Sequence, residues 1–266
     1  MKSPVKYLVL LSLLALVVGC KPEAKIFNGY VEGEYVYIAP TTPGILQTLS
    51  VARGQQVKKG DPLFALDPTN LNAMLASAQA SVSQAKADDI KAQADNTRAQ
   101  RLLRTGGISH ADADARKAAL EAAQAAQEKA AQSVVQIEKQ LAESAPAAPK
   151  SGRIEDTFYR VGENVAAGAP VVSLLPPENV KIRFFVPEAK LPMFPLGANV
   201  TVTCDGCAKP VAAKVSYIAS QSEYTPPVIY SVDSRDKLVF MVEARPNRFT
   251  PTLRPGLPVS IERNEP

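Results

Sequence analysis

Three textures of hydrophobic and polar positions follow one another along the chain. Up to residue 68, beyond an apolar leader, apolar residues come in short runs punctuated by glycine and proline, such as Gly44-Ile45-Leu46. That pattern predicts short strands joined by turns. From Leu71 to Ala142 proline disappears, and alanine, glutamine and lysine dominate. Leu71, Leu75, Ala78, Val82, Ala85 and Ala92 recur there at alternating four- and three-residue steps, interrupted by Asp89 and Asn96. Leu120, Ala123, Gln127, Ala130, Val134, Ile137 and Leu141 keep a similar spacing. Both stripes fit the seam of a coiled coil, so two long helices are expected. Asp67 or Thr69 can cap the first, with Pro68 in its first turn. Thr105-Gly106-Gly107-Ile108-Ser109 holds two glycines and predicts the turn between the arms. Arms of about 35 residues would project roughly 50 Å at 1.5 Å per residue. Short apolar runs then return, as in Val171-Val172-Ser173-Leu174. Beyond Asn179, alternation over 180–186, 199–204 and 238–244 predicts further strands, and Pro187 to Leu191 one short helix.

The two strand-like stretches that flank the helices say the same thing twice. With Gly44 set over Gly152, the segments align without a gap. Gly54 then faces Gly162, Val57 faces Val165, Gly60 faces Gly168, Pro62 faces Pro170 and Leu66 faces Leu174. The glycines suit turns that need positive φ. Neither copy holds enough apolar residues to close a core alone, so two quasi-equivalent halves are expected to pack on each other.

Composition narrows the function. The chain is 46% hydrophobic and 21% charged with a net charge of +4. Such a composition is globular rather than disordered. Lys2 and Lys6 lie in the leader, and no basic block carries interleaved aromatics, so nucleic acid is not an expected partner. The leader, MKSPVKYLVLLSLLALVVGC, places two lysines before an apolar run that stops at Cys20. Its length suits a signal-peptide core and is short for a membrane span. Val17-Val18-Gly19-Cys20 resembles a bacterial lipobox, which implies cleavage after residue 19 and a lipid on Cys20. Ordinary signal cleavage with an incidental thiol is the alternative.

Little else suggests chemistry. Cys204-Asp205-Gly206-Cys207 could be a local disulfide, a pair of free thiols, or part of a metal or redox site. A zinc site needs more ligands, and the sole histidine, His110, lies in the helical stretch. Asp-Gly between alternating strands reads as a two-residue hairpin turn, with the cysteines flanking it as a disulfide. One histidine cannot build a triad or a histidine-rich metal site. Carboxylate pairs such as Asp88-Asp89 fall on helix arms expected to be open to water, and no phosphate-binding glycine motif occurs. No enzymatic activity, catalytic residue, metal or cofactor is expected.

The motif G-x2-V-x2-G-x-P-L-F-x-L-D, Gly54 to Asp67, resembles half of a biotinyl/lipoyl carrier fold. A carrier displays a lysine in the hairpin between its halves; here roughly eighty residues of helix stand in that place. A split lipoyl fold with inserted helices is similar to the HlyD-type membrane fusion proteins, the periplasmic adaptors of tripartite efflux and secretion systems. The resemblance implies an elongated multidomain α+β fold: a split lipoyl-like β-sandwich with an inserted antiparallel coiled-coil hairpin, then a small β-barrel. Its divisions are a signal peptide at 1–19, a lipid-anchored lead-in at 20–38, lipoyl halves at 39–68 and 146–176, the hairpin at 69–145, and the barrel at 177–266. The strand around Phe27 to Ile38 either leads into the lipoyl part or closes the barrel. Arg98, Leu102 and Ser109 match R-x3-L-x6-S, which implies that the hairpin tip meets a TolC-type outer-membrane duct. The resemblance further implies an inner-membrane transporter as partner, self-association into a ring, and lipid anchoring at the periplasmic face of the inner membrane. About ninety residues follow the second lipoyl half, too few for the added domain of RND adaptors, so an ABC-type transporter is favoured. A stand-alone periplasmic lipoprotein that binds a small molecule or metal is the alternative.

Overall fold

A computed structural model describes residues 26–207, 209–224, 238–248 and 252–263. The leader and Cys20 lie outside the described residues. The chain divides into two units, one formed by 35–179 and the other by the segments before and after it.

In the first unit, β2 (Val36–Ile38), β8 (Val172–Leu175), β6 (Gly152–Thr157) and β4 (Gln56–Val57) form one sheet in that order. A second sheet runs β5 (Phe64–Leu66), β3 (Gly44–Leu49), β7 (Asn164–Val165). Between them lies one core that includes Leu46, Leu63, Phe64, Ile154, Val165 and Leu174. The sequence repeat is reproduced bond for bond, with each half completed by the other. Gly44 pairs with Val165, and Gly152 pairs with Val57. The Gly162 N–H donates to Leu46 O, and its counterpart Gly54 N–H to Ile154 O, both at 2.8 Å. Gly168 N–H reaches Pro40 O as Gly60 N–H reaches Ala148 O, both at 2.9 Å. Gly54, Gly60, Gly162 and Gly168 all have positive φ, the backbone state in which a side chain is strained. Neither half could satisfy its backbone polar groups or bury its apolar face without the other.

The halves are joined through two helices, α1 (Thr69–Arg104) and α2 (His110–Ser144). Asp67 Oδ1 accepts from the Thr69 N–H and hydroxyl at 3.0 and 2.6 Å, which starts α1 without a side-chain bond from Pro68. The helices pack on each other mainly over small side chains; Ala78, Ala99 and Ala113 are buried, joined by the larger Ile137. Asp89 and Asn96 do not leave the stripe. Both are half-buried, each with a buried Oδ1 that has no hydrogen-bond partner. Asp89 is thus not the water-exposed carboxylate expected of a helix arm, because the four-three spacing returns it to the seam. At the sandwich, Leu63 N–H donates to Pro146 O and Ala148 N–H to Asp61 O, while the Thr41 hydroxyl donates to Glu143 Oε2 at 2.7 Å.

The second unit is a closed six-stranded barrel. Around it run β1 (Phe27–Gly33), β13 (Pro258–Arg263), β10 (Asn199–Thr203), β11 (Val211–Tyr224), β12 (Leu238–Pro246) and β9 (Val180–Pro187). The segment 27–38 is therefore divided: β1 closes the barrel between β9 and β13, while β2 joins the sandwich. Val31, Ile182, Phe184, Val200, Val202, Val242 and Ile261 fill the interior. A short 3-10 helix, Glu188–Met193, delivers Phe194 edge-on to Phe27 and Phe184, at 4.9 and 5.3 Å between ring centroids.

Candidate functional site

The turn end of the helical pair is built by backbone capping of α1 and side-chain capping of α2. Gly106 N–H donates to Leu103 O at 3.1 Å and Gly107 N–H to Leu102 O at 2.8 Å, with Gly106 at φ +71°. These two bonds and one left-handed residue make a Schellman motif, which satisfies the last carbonyls of α1. Ser109 opens α2: its Oγ accepts from the Asp112 N–H at 3.1 Å, and its hydroxyl donates to Asp112 Oδ2 at 2.6 Å. All three expected contact residues are exposed. Leu102 is 41% exposed and the Arg98 side chain 70% exposed, the latter 3.4 Å from Asp95. Ser109 has its hydroxyl committed to the cap, a role the spacing alone did not reveal. Leu102, Ala99 and Ile108 floor a shallow cleft rimmed by Asp95, Arg98, Asp112 and Arg116. An apolar floor with alternating charges at its rim is chemistry for docking a protein surface. Arg101 and Arg104 lie in the last turn of α1, where cations oppose the partial negative charge of the helix terminus. His110 is exposed at the first position of α2.

The structure pairs Cys204 and Cys207 as a disulfide, Cα atoms 5.1 Å apart. Their turn differs from the expected two-residue hairpin. Cys207 N–H donates to Cys204 O at 3.0 Å, but β10 ends at Thr203 and β11 resumes at Val211. Gly206 is not among the positive-φ glycines, so the primed turn that suits a tight hairpin is not formed. The turn is one bend within a seven-residue connection, 204–210.

A charge network on the barrel wall escaped the sequence. On β9, Ile182 and Phe184 point into the core, so Lys181 and Arg183 fall on the other face. Lys181 is nonetheless buried, its side chain 9% exposed. Its Nζ lies 2.6 Å from Glu34 Oε1 and 2.8 Å from Glu243 Oε1; Arg183 Nη2 lies 2.8 Å from Glu32 Oε2 and 3.0 Å from Glu243 Oε1. Burial pushes the Glu243 carboxyl up, but hydrogen bonds and charge from Lys181 and Arg183 outweigh it and hold the group below its ordinary range. Burial likewise acts to lower Lys181, and Glu243 and Glu34 more than reverse it. The only sequence signal was alternation on β9, which cannot tell which strand lies beside it. Among the described residues, no group of three histidine, cysteine or acidic side chains converges as metal ligands would. No described helix is long and apolar enough to cross a membrane.

Comparison with known proteins places this architecture. Residues 34–175 match the family described as RND MFP, barrel-sandwich hybrid domain. The chain is 28% identical over 191 residues to the Escherichia coli K12 protein YdhJ, covering 72% of this chain and 67% of that one. It is 33% identical over 150 residues to the multidrug resistance protein MdtA of Pectobacterium carotovorum, covering 56% of this chain but only 36% of the relative. The membrane fusion protein Spr0693 of Streptococcus pneumoniae R6 shares the fold with a TM-score of 0.67 at 20% identity, over 91% of this chain and 99% of that one. A putative efflux transporter from Bacteroides eggerthii superposes with a TM-score of 0.55 at 26% identity, over 90% of this chain and 68% of that one.

Proposed function

Because the chain belongs to the membrane fusion proteins of the RND type, we propose that it links an inner-membrane exporter to an outer-membrane exit duct. Such proteins are non-enzymatic structural adaptors, and this one is a periplasmic adaptor in transport. The observation that carries the finer reading is the turn end of the helices. A rigid Schellman turn followed by a serine cap presents Leu102 and Arg98 to solvent beside an apolar cleft. Neither side chain contributes to the sandwich core, which leaves both free to meet a partner. In this reading α1 and α2 form an antiparallel coiled-coil hairpin. Arg98 and Leu102 meet a TolC-type duct, while Ser109 holds the turn in shape. Copies of the chain assemble into a ring, and a lipid on Cys20 tethers each copy to the inner membrane.

Leu102→Asp tests this. The side chain is only part-buried, so loss of its apolar contacts costs about 1–2 kcal/mol. The variant is expected to fold and to bind its inner-membrane transporter while export fails. Full export by the folded variant would reduce the helices to a spacer. Crosslinking from the membrane and identification of the captured transporter distinguishes the ABC-type partner favoured from the sequence from a pump of the RND type named by the family.

A further inference from the structure

The Cys204–Cys207 disulfide does little for the barrel as a staple. It closes a four-residue ring, and a ring that short removes little entropy from the unfolded chain. The strand before it is already held on both sides. β10 pairs with β11 and with β13, Thr203 opposite Ser260, and the Thr203 hydroxyl donates to Ser260 O at 3.3 Å. Both cysteines are half-exposed and belong to the connection outside the ladder, not to the packed interior. Cys204 also borders an open polar cleft formed by Asn28, Gly29, Thr203, Asp205, Pro258 and Ser260. A reagent can therefore reach the bond without parting any strands. The turn itself is set by the Cys207 N–H to Cys204 O bond, which involves neither sulfur. Reduction would leave the two thiols side by side and ready to close again.

We propose that Cys204–Cys207 is a reversible thiol–disulfide exchange site, addressed by a dithiol reductant while the barrel stays folded. One thiolate of the dithiol attacks a sulfur of the bond, forming a mixed disulfide and releasing the other cysteine as thiolate, which takes up a proton. The second thiol of the reductant then displaces the remaining cysteine. Two electrons and two protons pass to the protein, and the reductant leaves as its own cyclic or protein disulfide. The reverse sequence, with a disulfide oxidant, restores the crosslink.

The test uses the full chain and dithiothreitol in native buffer, with maleimide alkylation read by mass spectrometry and circular dichroism recorded in parallel. The expected result is alkylation of both Cys204 and Cys207, at a rate that rises in proportion to dithiothreitol, with the β signal unchanged. Oxidised glutathione should then return the protein to the unreactive state. Cys207→Ser, treated with oxidised glutathione, should carry one glutathione on Cys204. Three outcomes would overturn the proposal. Thiols that appear only in denaturant, or at a rate independent of dithiothreitol, would mean the bond opens only when the barrel does. Loss of the β signal on reduction would make the disulfide a structural staple. Free thiols that glutathione disulfide fails to close would show that the pair does not cycle.

Discussion

Adding one methyl group at Gly152 should damage the sandwich far more than adding the same group at its repeat partner, Gly44. A Cβ built on Gly152 would lie 2.5 Å from Leu175 O, 2.9 Å from Leu175 C and 3.0 Å from Pro176 Cα. All three are backbone atoms, and the two of Leu175 belong to β8, which cannot step aside without parting from β6. A Cβ on Gly44 would meet only side-chain atoms, Leu66 Cδ1 at 3.3 Å and Cβ at 3.4 Å, which need give by no more than a few tenths of an ångström. Neither glycine has positive φ, so alanine is allowed at both by the backbone alone. Gly→Ala stabilises by about 0.4–1 kcal/mol where it fits, by restricting the unfolded chain. Overpacking costs about 1–3 kcal/mol, and a rigid backbone neighbour puts Gly152 at the upper end. The expected balance is a loss of about 1–3 kcal/mol for Gly152→Ala and a change within about 1 kcal/mol for Gly44→Ala. For a unit of this size that separates the melts by about 2–4 °C per kcal/mol. Thermal and urea denaturation of the two variants, side by side, measure it. Equal melts, or a worse result for Gly44→Ala, would refute the claim that the close approach at Leu175 fixes this glycine.

The polar seam positions predict gains. Asn96→Leu should raise the melting temperature, because it replaces a half-buried carbonyl oxygen that has no partner with an apolar side chain; relief of the unmet hydrogen bond is worth about 1–3 kcal/mol. A lower melt would show that Asn96 holds the helical register instead. The barrel should also respond to acid. Glu243 titrates below its ordinary 4.5, so its contribution is fully present above that value and is lost as pH falls through the lower folded value. A pH series of melts should show stability declining below about pH 4.5, and Glu243→Gln should flatten that decline while lowering stability at neutral pH. An unchanged acid limb would assign the decline to other carboxylates.

What could be read in the sequence was whatever repeats. The alignment of Gly44 with Gly152 carried the strand positions, the four turn glycines and the packing of one half on the other, because each residue type answers a local backbone demand; the exchange of backbone partners between the halves appears only in the structure. Four-three spacing placed both helices, and even Asp89 and Asn96, polar positions within the stripe, obey it. The barrel was less legible because its order is set by pairing between distant segments. Nothing local says that Glu32 on β1 lies against Lys181 and Arg183 on β9, or that Glu243 on β12 approaches from the other side. The connection between β10 and β11 is longer than the local pattern implies for a related reason. Asp-Gly signals a turn, but where β10 ends and β11 begins depends on their register, Val202 opposite Val211. At the turn end, spacing brought together Arg98, Leu102 and Ser109, all three exposed; it could not say that the Ser109 hydroxyl also caps α2.

The most direct measurement places a photocrosslinking amino acid at Leu102 in living cells, with Ile90 as the control. Ile90 is also exposed, at 57%, but lies more than three turns back along α1. Both variants should be checked for membrane association and export before illumination. Position 102 should capture an outer-membrane duct protein, and position 90 should not. Capture of no duct from position 102 in an export-competent strain, or the same products from both positions, would contradict the assignment of this turn as the docking end of the adaptor.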